Sequence, residues 1–70
     1  MDSLAEAKRL FLEALALQEK GELERAEGLY RIALTLVPER PSVMNNLASV
    51  LIGLKKCAEA RLVCEQLLKN

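Results

Sequence analysis

Apolar residues recur along the chain at spacings of three and four, the period of an α-helix that buries one face. The clearest segment lies between Gly21 and Pro38, where the pattern predicts a helix over about 22–37. Its apolar stripe consists of Ala26, Leu29, Tyr30, Ala33, Leu34 and Leu36. Because two of these residues are alanine, a neighbouring helix can approach closely beside the ring of Tyr30.

A first helix is predicted to begin at Ser3, since Ser3 and Glu6 match the capping box of a helix N-terminus. It should run to about residue 20 and end at Gly21, because glycine readily adopts the left-handed conformation of helix C-termini. Its apolar residues cover more than one stripe. We therefore expect this helix to have either two apolar neighbours or an exposed apolar patch.

The segment from Pro38 to Pro41 is the clearest break, because proline cannot continue one helix but suits the first turn of the next. A third helix is predicted over about 41–54 and a fourth over about 56–69. The turn between them is the weakest break, since Lys55 stands where the first pair of helices has Gly21.

The sequence matches itself at an offset of about 34 residues. Ala14 then falls on Ala48, Leu17 on Leu51, and Ala26 on Ala60. With Gly21, the Ala26-x3-Tyr30 spacing and Pro38, this period resembles the tetratricopeptide repeat, with copies at about 5–38 and 39–70. The resemblance implies one all-α domain over 1–70, built from four antiparallel helices in two helix–turn–helix hairpins.

Stacked repeats of that family form a concave groove lined by the first helix of each pair. The resemblance implies these groove residues: Lys8, Phe11, Leu12, Leu15 and Gln18 from the first helix, and Ser42, Asn45, Asn46, Ser49 and Ile52 from the third. Asn46 stands where peptide-binding members often carry an asparagine that contacts the ligand backbone. Asn45 and Asn46 could equally be solvated amides. The implied function is a protein–protein interaction module that binds a peptide or protein segment of unidentified sequence.

Two residues argue against one known ligand of the family. Phe11 and Leu15 stand at the two first-helix positions that carry the polar and basic side chains of the clamp for chaperone C-terminal carboxylates. The resemblance therefore implies peptide recognition of another kind. Such a chain could also be a fragment of a longer repeat array.

Composition narrows the function further. The formal net charge of the 70 residues is zero, which disfavours nucleic-acid binding, and histidine is absent, so the usual general base and commonest metal ligand are missing. The acidic residues Glu19, Glu22, Glu24 and Glu27 fit a solvated helix face, with nothing basic or nucleophilic expected to converge on them. We expect no enzyme activity, no cofactor and no metal site.

Cys57 and Cys64 are seven residues apart on one predicted helix, which separates their Cα atoms by roughly 10 Å, too far for a disulfide with each other. Two thiols alone cannot complete a zinc site, so we expect them to act as small hydrophobic residues. Reduced cysteines, with no signal peptide or membrane-length apolar run, favour a cytoplasmic protein that binds no membrane.

The last predicted helix presents a second apolar surface, formed by Leu62, Val63, Cys64, Leu67 and Leu68. About three repeats are normally needed for independent stability, and two are present. We therefore expect a homodimer, formed by face-to-face pairing through this helix or by a domain swap across the turn at Lys55. The alternative function is a structural homo-oligomerisation domain whose main ligand is its own copy.

Overall fold

The computed structural model describes residues 2–38 and 40–69, which form helices joined by turns and contain no strand. The helices are α1 (Ser3–Glu19), α2 (Leu23–Leu36), α3 (Pro41–Gly53) and α4 (Cys57–Lys69). α1 packs on α2 and α3 packs on α4, so the predicted all-α fold of two helical hairpins is confirmed. α2 also packs on α3, and α1 touches α3, which joins the two hairpins.

The N-terminus of α1 corrects the predicted capping box. Asp2 is the N-cap, and its carboxylate accepts a hydrogen bond from the backbone N–H of Leu4 at 3.1 Å. Ser3 is already inside the first turn, and the carboxylate of Glu6 pairs with Arg9 instead of reaching back to the cap. A carboxylate one residue earlier thus displaces the hydroxyl, since it accepts more strongly and also favours the positive end of the helix.

The α1–α2 turn closes as the glycine predicts. Gly21 has φ +83°, and its N–H donates to the carbonyl of Gln18 at 3.0 Å. The next N–H, of Glu22, donates to the carbonyl of Leu17 at 2.9 Å. These two bonds form the Schellman arrangement, which satisfies carbonyls at the end of α1 that have no partner within the helix.

The α3–α4 turn has the same geometry without a glycine. Lys55 has φ +64°, and its N–H donates to Ile52 at 2.9 Å, while the N–H of Lys56 donates to Leu51 at 2.8 Å. The break that looked weakest in the sequence therefore closes fully, with α3 and α4 folded back on each other inside one chain. A left-handed lysine costs backbone energy that glycine would avoid.

The core lies between the hairpins and is built on close helix approach. Its buried residues are Ala7, Leu10, Ala14, Ala26, Tyr30, Ala33, Val43, Met44, Leu47, Ala48, Val50, Leu51 and Ala60. The alanines let the helices come together around Tyr30, which is fully buried. Gly53 likewise leaves room for a neighbouring helix, because a Cβ at this residue of α3 would lie 2.7 Å from Cδ1 of Leu23 on α2.

The Cα trace measures 34 × 31 × 13 Å, so the helices form a thin plate with little room to bury a second face. Cys57 and Cys64 are exposed and free. Both lie outside the packed core, and the expectation that they act as small hydrophobic residues, not as redox or metal groups, stays a prediction. Across the described ranges, none of the helices combines the length and the apolar character needed to cross a bilayer.

Candidate functional site

A half-open groove lies where α1 passes the end of α2 and the start of α3. It has a volume of about 280 Å³ and is lined by Leu4, Ala7, Lys8, Phe11, Ala33, Val37, Arg40, Ser42 and Val43. Its volume is close to the lower end of the range for small-ligand pockets. The groove can hold one large apolar side chain of a ligand, but not a folded segment.

Phe11 ties this groove to the core. Its ring packs against the ring of Tyr30 with centroids 5.9 Å apart and planes tilted by 56°, a favourable aromatic geometry. The hydroxyl of Tyr30 in turn donates to Oε1 of Gln18 at 2.7 Å. The half-buried ring of Phe11 therefore forms part of the groove wall and also covers the core tyrosine.

The amide of Asn46 also acts on this tyrosine. Burial raises the pKa of Tyr30, and the nearby side-chain amide of Asn46 opposes that rise by favouring the ionised form. Asn46 is half-buried on α3, whereas Tyr30 lies on α2. The asparagine that the resemblance assigns to a ligand thus lies close to the buried hydroxyl of the other hairpin.

The charged lining of the groove is basic. Lys8 and Arg40 are exposed, and neither takes part in an ion pair among the residues that the structure describes. Arg40 is also the N-cap of α3 and makes no side-chain capping bond. Two cations and the positive end of a helix therefore lie beside an apolar surface.

The structure gathers only part of the predicted groove. Lys8 and Phe11 of α1 line it together with Ser42 of α3. The other predicted members, which do not line this cavity, are Leu12, Leu15, Gln18, Asn45, Asn46, Ser49 and Ile52. Leu12 is 56% exposed and Leu15 is half-buried on α1, while Asn45 and Ser49 are exposed on α3.

Several groove residues escaped the sequence prediction: Leu4, Ala7, Ala33, Val37, Arg40 and Val43. Two of them, Val37 and Arg40, flank the break between the hairpins, so their partners are set by packing and not by local pattern. For Arg40 the sequence did contain a signal of its position at a helix N-terminus, because it comes directly before the proline that starts α3.

A cluster of ion pairs connects the two hairpins. Arg31 donates to Glu27 at 2.8 Å and to Glu59 of α4 at 2.8 Å, and Lys56 reaches Glu27 at 3.0 Å. The expectation that nothing basic converges on the acidic residues is therefore wrong. The Arg31 and Lys56 bonds hold the pKa of Glu27 below its ordinary value, which suits a structural ion pair better than a proton donor.

α4 exposes the apolar surface that the sequence predicted for self-association. Leu62 is 62% exposed and Leu68 is 87% exposed, whereas Ala60 is the buried residue of this helix. Val63 and Leu67 are half-buried. Two large apolar side chains of α4 are therefore open to solvent, among the exposed polar residues Arg61, Glu65 and Gln66.

The fold and site together define a two-hairpin helical protein with a basic-lined apolar groove. The sequence matches no family model, and the comparisons with curated proteins and with solved structures gave no significant match. The resemblance to the tetratricopeptide repeat therefore stays a prediction that rests on the residues quoted above.

Proposed function

We propose that this chain is a protein–protein interaction module, of the tetratricopeptide type, that binds an extended peptide or protein segment along α1 and α3. The observation that carries the proposal is the half-open groove between these helices. Its lining is mostly apolar, with a few polar groups at fixed places, the usual composition of a recognition site. In this proposal the chain has no catalytic role and works in a reducing cytoplasm, which its two free thiols fit.

The surface beyond the groove supports a ligand longer than one residue. Asn45 and Ser49 are exposed on α3, and Leu12 is exposed on α1. An amide or a hydroxyl can donate to and accept from an extended backbone, which leaves the groove to select a side chain. The same face therefore offers both backbone contacts and one apolar subsite.

A peptide array of varied composition tests this function, at a protein concentration where the chain is monomeric. Leu4→Asn removes apolar surface from the groove at a residue that is 49% exposed. Leu68→Asn is the matched control, since Leu68 is exposed on α4, away from the groove. We expect Leu4→Asn to weaken the peptides that bind and Leu68→Asn to leave them unchanged. Failure of every peptide to bind, or equal losses in both variants, would contradict the proposal.

The two exposed leucines of α4 favour a second candidate, a homo-oligomerisation domain that pairs with its own copy. Burying Leu62 and Leu68 against a second chain would remove two large apolar side chains from water, and two-fold pairing is the commonest closed arrangement. Sedimentation across a concentration series, under reducing conditions, tests it. Dimers that Leu68→Asn dissociates would support this candidate, and a monomer mass at every concentration would exclude it.

A further inference from the structure

We propose that the groove binds an acidic peptide segment, in which one large apolar side chain enters beside Phe11 while neighbouring carboxylates pair with Lys8 and Arg40. This inference rests on the proposed interaction function and assigns the chemistry of its ligand. The partner is thus an extended segment of another protein that carries Asp or Glu on both sides of a Leu-like or Phe-like residue.

Charge complementarity is the first argument. Among the described residues that line the groove, both charged ones are cations, and neither has an ionic partner in the described part of the chain. The paired cations, such as Arg9 and Arg31, lie elsewhere and are already neutralised by glutamates. Lys20 and Arg61 also make no ion pair in the described part of the chain, but Lys8 and Arg40 are the cations that line an apolar groove, where a ligand carboxylate could pair with them.

The size of the groove is the second argument. About 280 Å³ admits one large apolar side chain, and the walls that would contact it are Leu4, Phe11 and Val43. Leu4 is 49% exposed, so its side chain still has surface to bury. A ligand segment with carboxylates next to that apolar side chain would bring them within reach of Lys8 and Arg40, which line the same groove.

A second copy of the chain fits this groove poorly. In the described residues outside the helices, the acidic side chains are Asp2 and Glu22. Asp2 caps α1 through the N–H of Leu4, and Glu22 pairs with Arg25 at 3.0 Å. The described turns thus offer no free acidic segment with an apolar residue, which favours a different protein as the partner.

Fluorescence anisotropy with synthetic peptides tests the inference directly. The probe is a fluorescein-labelled nonapeptide with a central leucine, two aspartates on each side and a Gly/Ser background. Three comparison peptides replace the leucine with glycine, the aspartates with asparagine, or the aspartates with lysine. We expect the first two changes each to weaken binding about tenfold, the lysine peptide not to bind up to about 1 mM, and added salt to weaken the aspartate peptide.

Variants of the protein locate the contacts. Lys8→Gln/Arg40→Gln removes both groove cations, and Lys20→Gln/Arg61→Gln is the matched control with the same change in net charge. All four side chains are exposed and make no ion pair among the described residues, so both variants should keep the native circular dichroism. We expect the first variant to bind the aspartate peptide about tenfold more weakly and the second to bind it normally.

The outcomes separate this inference from the proposed function. Binding of neutral or basic array peptides without the aspartate peptide would overturn the acidic ligand while leaving the interaction module intact. Absence of binding by every peptide would overturn both. Equal losses of affinity in the two double variants would place the peptide outside the groove. Self-association that blocks the groove, detected by sedimentation, would assign the groove to a second copy of the chain. Octanoate that binds as tightly as the peptide would assign the groove to small aliphatic carboxylates instead.

Discussion

Replacing Lys55 with glycine should stabilise the fold, because the α3–α4 turn places a lysine in a conformation that suits glycine. Lys55 has φ +64° and Gly21 has φ +83°, and each occupies the same position of the same hydrogen-bonded turn. The left-handed conformation costs an L-residue about 1–2 kcal/mol. Glycine avoids this cost but loses more backbone entropy on folding, about 0.5–1 kcal/mol.

The difference is a net stabilisation of about 0–1.5 kcal/mol for Lys55→Gly, centred near 0.75 kcal/mol. For a domain of this size, the central value corresponds to a rise of about 3–6 °C in melting temperature. Lys55→Ala is the matched control, since it removes the same exposed side chain and charge but retains Cβ. Gly21→Ala supplies the reverse test, because a Cβ at Gly21 meets no atom within 4 Å and only the backbone term remains.

Thermal denaturation followed by far-ultraviolet circular dichroism measures all three variants. Lys55→Gly should melt above the unmodified protein and above Lys55→Ala, and Gly21→Ala should melt below it. Equal melting temperatures for Lys55→Gly and Lys55→Ala would refute the reasoning, since the two variants differ only in the backbone freedom of that residue. Such a result would mean that the turn relaxes away from the left-handed region at little cost.

Three further predictions follow from the core and its charges. Ala26→Leu should lower the free energy of unfolding by about 1–3 kcal/mol through overpacking, whereas Ala58→Leu on the exposed side of α4 should be nearly neutral in the same denaturant titration. Glu27→Gln should lower the free energy of unfolding by about 0.5–1 kcal/mol at low salt. Because folding lowers the pKa of Glu27, the stabilisation from its ion pairs is present above the ordinary pKa of 4.5 and is lost as pH falls. Burial raises the pKa of Tyr30, so stability should fall as pH rises above 10, and tyrosinate absorbance should appear together with unfolding and not before it.

The hairpins were predictable from sequence because their signals are local. Helical periodicity, a glycine at residue 21 and prolines at 38 and 41 all act within a few residues of the boundaries they set. The N-terminus of α1 was not predictable to the residue, because Asp2 and Ser3 both cap well and compete for the same amides. The turn at Lys55 looked weak because it lacks a glycine. It closes nevertheless, since a propensity penalty of about 1–2 kcal/mol is smaller than the packing energy that two helices gain when they fold together.

The groove was less predictable because it depends on contacts between elements distant in sequence. Lys8 and Phe11 could be placed from the repeat pattern, which fixes the exposed side of α1. Leu4, Val37 and Arg40 join them only because the end of α2 and the start of α3 meet the first turns of α1. No periodicity within a single helix contains that information.

The packing of Tyr30 decides which residues can test ligand binding without disturbing the fold. Gln18 accepts a hydrogen bond from the tyrosine hydroxyl, so this amide has already committed part of its capacity to the core, and the amide of Asn46 lies near the same hydroxyl. Phe11 covers the ring of the same tyrosine. Truncating Gln18 would leave a buried hydroxyl without its partner, and truncating Phe11 would open a cavity. Lost affinity in either variant would then be indistinguishable from lost stability. Lys8 carries no such role, since it is exposed and makes no ion pair among the described residues, so an affinity change on its substitution reports on the ligand alone.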